Sequence, residues 1–345
     1  MTVCPQGGGL PTRRELRLQP ATNLHERGPD EVDTLLLILL NGAVYGLLLF
    51  MLSSGLTLIY GMMGVLNLAH ASFYMLGAFL AFTISTRIGF WPALLIAPLT
   101  VGLLGAIVER WGLRAVHRHG HVAELLFTFG LAFIINEIVP LIWGRIPVPY
   151  KVPPELDFPL FHIANNAYPA YRLFMMAVAI AMFVALFATL AKTRLGLVIR
   201  AALTHPEMVG MLGHDVPRVF TLVFGAGCAL AGLAGVIAGN AFTTEPGMAR
   251  ALGAIVFAVV VMGGLGSIWG ALVASLLIGF VQTASIALDL PLGAALARIG
   301  LQTPLDHLAD LGKISIARVA PVIPYALLIL VLATRPRGLM GIRSA

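Results

Sequence analysis

Residues 34–72 read TLLLILLNGAVYGLLLFMLSSGLTLIYGMMGVLNLAHAS. The first part, to Tyr60, is a continuous apolar run longer than the ~20 residues that span a bilayer as a helix. A second apolar run starts at Gly64. Between them sits Tyr60-Gly61-Met62-Met63-Gly64, and soon after it the polar pair Asn67 and His70. Glycines beside polar residues in an apolar chain predict a helix break or a close helix contact. Broken helices in transporters expose backbone groups that can hold a solute.

Outward from this stretch the pattern repeats. Apolar runs fall at about 34–60, 64–86, 90–109, 121–143, 171–191, 218–239, 268–288 and 319–334. A ninth run, 251–264, is short for a span at 1.5 Å per residue and reads as a half-helix or part of a re-entrant pair. The expected fold is an all-α polytopic membrane protein with eight or nine transmembrane segments and room for broken or re-entrant helices. The runs are too long and continuous for a β-barrel. Composition agrees: of 345 residues, 59% are hydrophobic and 11% charged, against about 25% charged in soluble domains. Cys4 lies in the polar tail and Cys228 in an apolar run, so no disulfide is expected.

Residues 1–33 form a polar tail and 34–345 the transmembrane domain. The tail lacks the layout of a cleaved signal peptide. It reads as mobile and minor, or as an over-long start, with the first apolar run acting as an uncleaved anchor. The net charge of +6 does not indicate nucleic acid, because the basic residues sit in short loops between apolar runs. One set of loops carries ten Lys and Arg against three acids, and the opposite set eight against six. The first set, which includes the C-terminus, is expected to be cytoplasmic. Nine crossings then put the N-terminus outside. The outer face would bear long loops at about 144–170, rich in proline and so extended and stiff, and at about 289–318. Both suit an external partner or merely cover helix ends.

Asn67 and His70 stand three apart, on one face of a helix. They line a polar path or form an interhelical hydrogen-bonding pair. Glu124 lies near one end of the 121–143 run and Asn136 and Glu137 near the other; the two acids are expected to reach the interface rather than to serve a substrate or proton role. His117, His119 and His121 read as a solvated basic loop, with nothing to complete a metal site. Small residues four apart (Gly235 and Gly239, Gly266 and Gly270, Ala271, Ser275 and Gly279) suit close helix packing. Gly263-Gly264-Leu265-Gly266 is no phosphate loop, because no Lys-Ser or Lys-Thr follows. The stretch 192–218 is too polar to span. Leu195, Val198, Ile199, Ala202 and Leu203 fit a first short helix. Pro206 opens a second, with Met208, Met211 and Leu212 on its apolar face, and Gly213 ends it. Such a pair suits docking of a soluble subunit or rests on headgroups.

Five pieces then resemble, in order, the permeases of branched-chain amino acid ABC importers, the LivH-like group. They are Leu58-Ile59-Tyr60-Gly61 with Gly64-Val65-Leu66-Asn67-Leu68-Ala69-His70 and Met75-Leu76-Gly77-Ala78-Phe79; Glu124-Leu125-Leu126-Phe127-Thr128-Phe129-Gly130; Gly196, Arg200-Ala201, Leu212-Gly213, Asp215 and Arg218; Val261-Met262-Gly263-Gly264-Leu265-Gly266-Ser267; and Arg335-Pro336-Arg337-Gly338-Leu339. After His70 the family commonly has Gly and an acid where Ala71 and Ser72 stand. His205 and His214 are also departures. The resemblance implies a transport subunit, not an enzyme, in a bacterial inner membrane with its C-terminus in the cytoplasm. Its partners would be two ATPase subunits that bind ATP and Mg, a second permease taken as a paralogue, an extracytoplasmic solute-binding protein and membrane lipid. This chain would bind no cofactor or metal of its own. Tyr60, Asn67, His70 and Ser72 would line the substrate path. Gly196, Arg200, Ala201, Glu207, Gly213, Asp215 and Arg218 would form the ATPase-coupling loop. The expected cargo is leucine-like. Urea or short amides through the same class, or an ATP-independent carrier or channel, are the alternatives.

Overall fold

A computed structural model of the chain describes residues 27–163, 166–204, 206–213, 215–288 and 315–341. The tail to residue 26, most of the expected 289–318 loop, and His205 and His214 lie outside the described residues. The elements in chain order are α1 (Arg27–Met63), α2 (His70–Ile88), α3 (Phe90–Val108), a π-helical turn (Glu109–Leu113) leading into α4 (Arg114–His117), and α5 (His121–Trp143). A two-stranded antiparallel hairpin follows, β1 (Pro159–Ile163) and β2 (Asn166–Pro169). Then come α6 (Ala170–Lys192), α7 (Arg194–Thr204), α8 (Pro206–Met211), α9 (Val216–Ala241), α10 (Met248–Gly263), α11 (Ile268–Leu288), α12 (Ile316–Val319) and α13 (Ile323–Thr334). Eight helical stretches among the described residues are long and apolar enough to cross a membrane, with α3–α4 and α12–α13 each counted as one.

Two ends of the bundle can be told apart by contacts. At one end, which we term the basic end, Arg114 reaches Pro217 and Thr221 at the start of α9. Gly61 at the foot of α1 meets Gly266 between α10 and α11. Leu339 and Met340 donate backbone N–H groups to the carbonyls of Met262 and Gly263, at 2.8 and 3.0 Å. Three of the recognisable sequence pieces, far apart in the chain, therefore meet there. At the opposite, loop end, Val148 pairs with Thr244, Trp143 donates to Thr83, and Arg172 donates to Asn41. The proline-rich loop is not only extended backbone, since it closes into the β1–β2 hairpin. Tyr150 from this loop packs against Gly239, and burial raises its phenol above the ordinary value, so it stays neutral. The short α10 runs from Arg250, beside Glu137 at the loop end, to Gly263 at the basic end. Its 16 residues cover about 24 Å, most of a hydrocarbon core.

In lipid the hydrophobic effect does not press helices together, so close approach of small residues does more of the work. The structure bears this out at the expected positions. A Cβ on Gly235 would lie 2.1 Å from the Tyr74 carbonyl oxygen of α2. Gly279 of α11 sits on Gly42 and Gly46 of α1. The most extensive contacts join α1 to α11 and α3 to α9, and α9 is the buried centre of the bundle. By contrast α5, α6 and α13 are mostly open to the surroundings.

Candidate functional site

The break expected between the first two apolar runs is present. Gly64, at φ +65°, ends α1, and its N–H donates to the Tyr60 carbonyl at 2.9 Å. Residues 64–69 are not helical, and α2 begins only at His70. Asn67 and His70 therefore do not share a helical face. Asn67 belongs to the linker and His70 is the first residue of α2. Two features explain this. The Asn67 side-chain oxygen accepts from the Ala69 N–H at 3.1 Å, a local turn that competes with helix. The glycine at 64 takes a left-handed conformation that other residues adopt at a cost.

Non-helical backbone at membrane depth needs partners from elsewhere. Thr128 of α5 supplies one, donating to the Leu66 carbonyl at 3.3 Å. His70 is buried, and its Nε2–H donates to the Leu52 carbonyl of α1 at 2.9 Å. A carbonyl only accepts, so Nε2 carries the proton. The ring fits because residue 55 is glycine: a Cβ there would lie 2.9 Å from His70 Cε1. Asn67 Nδ2 and His70 Nδ1 have no hydrogen-bond partner among the described residues. Both residues line a cavity of about 340 Å³ with Leu56, Phe257, Tyr325 and Leu328. An adjoining cavity of about 390 Å³ shares Leu68, Ala71 and Gly253 and adds Ser72, Asn136 and Arg250. Ser72 Oγ accepts from Asn136 Nδ2 at 3.2 Å. The structure thus brings Asn67, His70 and Ser72 together around the start of α2. Tyr60 is not with them. It lines a separate cavity of about 450 Å³ at the basic end, with Ile199, Arg200, Ser267 and Trp269.

The 192–218 stretch forms the two expected short helices. Gly196 lets α7 fold tightly against the end of α6, where a Cβ would come 2.3 Å from the Leu190 carbonyl oxygen. Ile199 and Ala202 are buried, whereas Leu195 is exposed, so the buried stripe of α7 is narrower than its spacing suggests. Arg200 Nε donates to the Gly196 carbonyl at 3.3 Å, and Ala201 follows it on α7. Gly213 ends α8 in a left-handed conformation, and Asp215 caps α9 by accepting from the Arg218 N–H at 3.1 Å. The Arg218 guanidinium also pairs with Asp215 at 2.7 Å. The backbone of Glu207 lies in α8, and its side chain is outside the described residues. Leu197, Met208, Met211 and Leu212 are exposed, leaving an apolar surface on these helices.

Two carboxylates were misjudged or missed by pattern. Glu124 does not reach out to the interface. It is buried, and its two oxygens meet His117 and His121. Those histidines are therefore not simply a solvated loop. Glu109 is buried as well, and accepts from Arg114 Nη2 at 3.0 Å and from the Thr221 hydroxyl. A partner five residues on would sit off-face on an α-helix. The π-helical turn at 109–113 brings it round. No group of three or more His, Cys, Asp or Glu among the described residues could hold a metal ion.

Residues 38–332 match the model of the family described as branched-chain amino acid transport system / permease component. The chain belongs to this family. The permease is 25% identical to the high-affinity branched-chain amino acid transport system permease protein BraD of Pseudomonas aeruginosa, over 88% of this chain and 94% of that one. It is 28% identical to the corresponding protein LivH of Escherichia coli K12, over 87% and 94%. The probable branched-chain amino acid transport permease protein LivH of Methanocaldococcus jannaschii is also 28% identical, over 71% of this permease and 80% of the relative. No solved structure matches.

Proposed function

We propose that this permease is one of two membrane subunits of an ATP-driven importer of branched-chain, leucine-like amino acids. The carrying observation is the interrupted backbone at 64–69. It holds Asn67 and His70 at the bundle interior, with Asn67 Nδ2 and His70 Nδ1 not committed to partners among the described residues, beside cavities of about 340 and 390 Å³. A solute passing there meets amide, imidazole and hydroxyl groups from Asn67, His70 and Ser72 between apolar walls. Such a surface can hold a polar head and an aliphatic side chain by turns. Tyr60 lines the exit cavity.

The excess of basic residues in its loops makes the basic end cytoplasmic, including the C-terminus, in a bacterial inner membrane. A solute-binding protein then delivers cargo at the loop end. ATP and Mg are bound on two separate ATPase subunits, which dock on α7 and α8. The exposed Leu197, Met208, Met211 and Leu212 give that surface its apolar area, and Arg200 and Asp215 its charge. Gly196, Ala201, Gly213 and Arg218 shape it, and Glu207 lies on it. Force reaches the path because Ile199 packs with Leu58 and Met62 of α1, immediately before the break. ATPase closure and cargo delivery each favour one of two arrangements about that break.

The test is co-expression with the neighbouring ATPase, sister-permease and binding-protein genes, assembly in nanodiscs, and ATP hydrolysis with and without leucine-loaded binding protein. Stimulation by the leucine-loaded protein is expected. Assembly stimulated only by urea- or amide-loaded protein would replace the cargo. Failure to capture any ATPase would overturn the coupling role of α7 and α8 and leave an ATP-independent carrier or channel.

A further inference from the structure

The second cavity beside the α2 break holds an arrangement that the path residues do not account for. Arg250, in the first turn of α10, lines it. Glu137, on α5 next to the lining residue Asn136, stands opposite Arg250, with Nη2 and Oε1 4.0 Å apart. That is too long for a hydrogen bond. Neither side chain makes a hydrogen bond to another described residue, and both remain about 70% exposed. Glu137 lies six residues before the end of α5 at Trp143, about 9 Å along its axis. Charges at such depth are costly against acyl chains and mark a polar path. Next to the pair is Asn136, fixed by its amide N–H bonds to Ser72 Oγ and the Ala132 carbonyl, with its Oδ1 carrying no partner among the described residues. The cavity also has apolar lining: Leu68 and, on the same helix as Asn136 and Glu137, the edge-to-face pair Phe129 and Phe133, with ring centroids 4.8 Å apart.

An α-amino acid carries a carboxylate and an ammonium on the same carbon, with its side chain on the third arm. From this match we infer that Arg250 and Glu137 form a zwitterion-reading subsite at the loop-end mouth of the path. The Arg250 guanidinium forks onto the carboxylate. Glu137 takes the ammonium, with Asn136 Oδ1 as a second acceptor. The aliphatic side chain rests on Leu68, Phe129 and Phe133. A neutral amide or urea offers the pair no charges to separate it. This inference rests on the proposed function and names the residues that recognise its cargo.

The complete importer in proteoliposomes, with saturating leucine-loaded binding protein, gives the number of leucines moved per ATP hydrolysed. Arg250→Gln and Glu137→Gln are each expected to lower that ratio at least about tenfold, because each leaves one charge of the cargo unpaired. Arg250→Lys, which keeps the charge but loses the fork, is expected to fall between the unsubstituted permease and Arg250→Gln. An unchanged ratio in both neutral variants overturns the subsite while the importer stands. No leucine uptake by the unsubstituted assembly overturns the proposed function and the subsite with it. Should the single variants fail to insert, the charge-exchanged double variant Glu137→Arg with Arg250→Glu decides. Restored insertion with normal leucine transport would make the pair a structural contact and overturn the subsite. Restored insertion without leucine transport would support it.

Discussion

Gly55→Ala is a one-methyl perturbation aimed at the geometry that holds His70. The new Cβ would lie 2.4 Å from the Gly227 carbonyl oxygen on α9 and 2.9 Å from His70 Cε1. Ordinary carbon–oxygen contact begins at about 3.3 Å, so α1 and α9 would have to part by roughly 0.9 Å. Overpacking of this kind costs about 1–3 kcal/mol. Displacing the ring from the Leu52 carbonyl forfeits a hydrogen bond worth about 0.6 kcal/mol on average within membranes. The better helix propensity of alanine returns up to about 1 kcal/mol. The net is a loss of about 1–3 kcal/mol. Gly130 provides the control, being a helical glycine with nothing within 4 Å of its added Cβ, so Gly130→Ala is neutral or stabilising. Unfolding in mixed micelles titrated with dodecyl sulfate reads both, and leucine uptake reads the consequence for the path. The two alanine variants unfolding together, with uptake unimpaired, would refute both the tight contact and the role of the His70 anchor.

Arg200→Ala with Asp215→Ala is expected to abolish uptake while leaving membrane insertion intact, as read by transport and by fractionation; normal uptake would remove the coupling role. Thr128→Val strips the Leu66 carbonyl of its partner, and a loss of about 0.5–1.5 kcal/mol in the same micelle titration is the expected cost. Glu109→Gln leaves the Thr221 bond but weakens the bonds from Arg114; about 1.5–3 kcal/mol of stability should go, because those bonds are charge-assisted. Replacing Met208 and Met211 by Glu should prevent co-purification of the ATPase without altering the thermal stability of the isolated permease, since both side chains are exposed.

The spans were legible because a bilayer imposes a simple length-and-polarity filter on each segment by itself. Even the break at Gly64 could be read, since glycines and an asparagine act on their own backbone. Local signals likewise give the start of α8 at Pro206 and the end at Gly213. The buried state of Glu124 and Glu109 was not legible, because it depends on what other segments bring. Thr221 is 112 residues from Glu109, and a π-turn had to rotate Arg114 into place. The same holds for Tyr60. In the chain it stands beside Asn67, and in space the six non-helical residues carry the path residues away from it.

By itself, then, the sequence determined the solvent of this protein, the approximate limits of its long helices with their count left at eight or nine, the place of the break and the two short polar helices at 192–218. Each is a property of a contiguous stretch and its own free energy in lipid or water. The tertiary structure alone decided which polar atoms have partners. It set His70 on Leu52, joined the signatures near Gly61, Gly266 and Leu339, and placed Arg250 opposite Glu137. Those facts depend on distances between segments, and these are set by which small residues allow two backbones to touch.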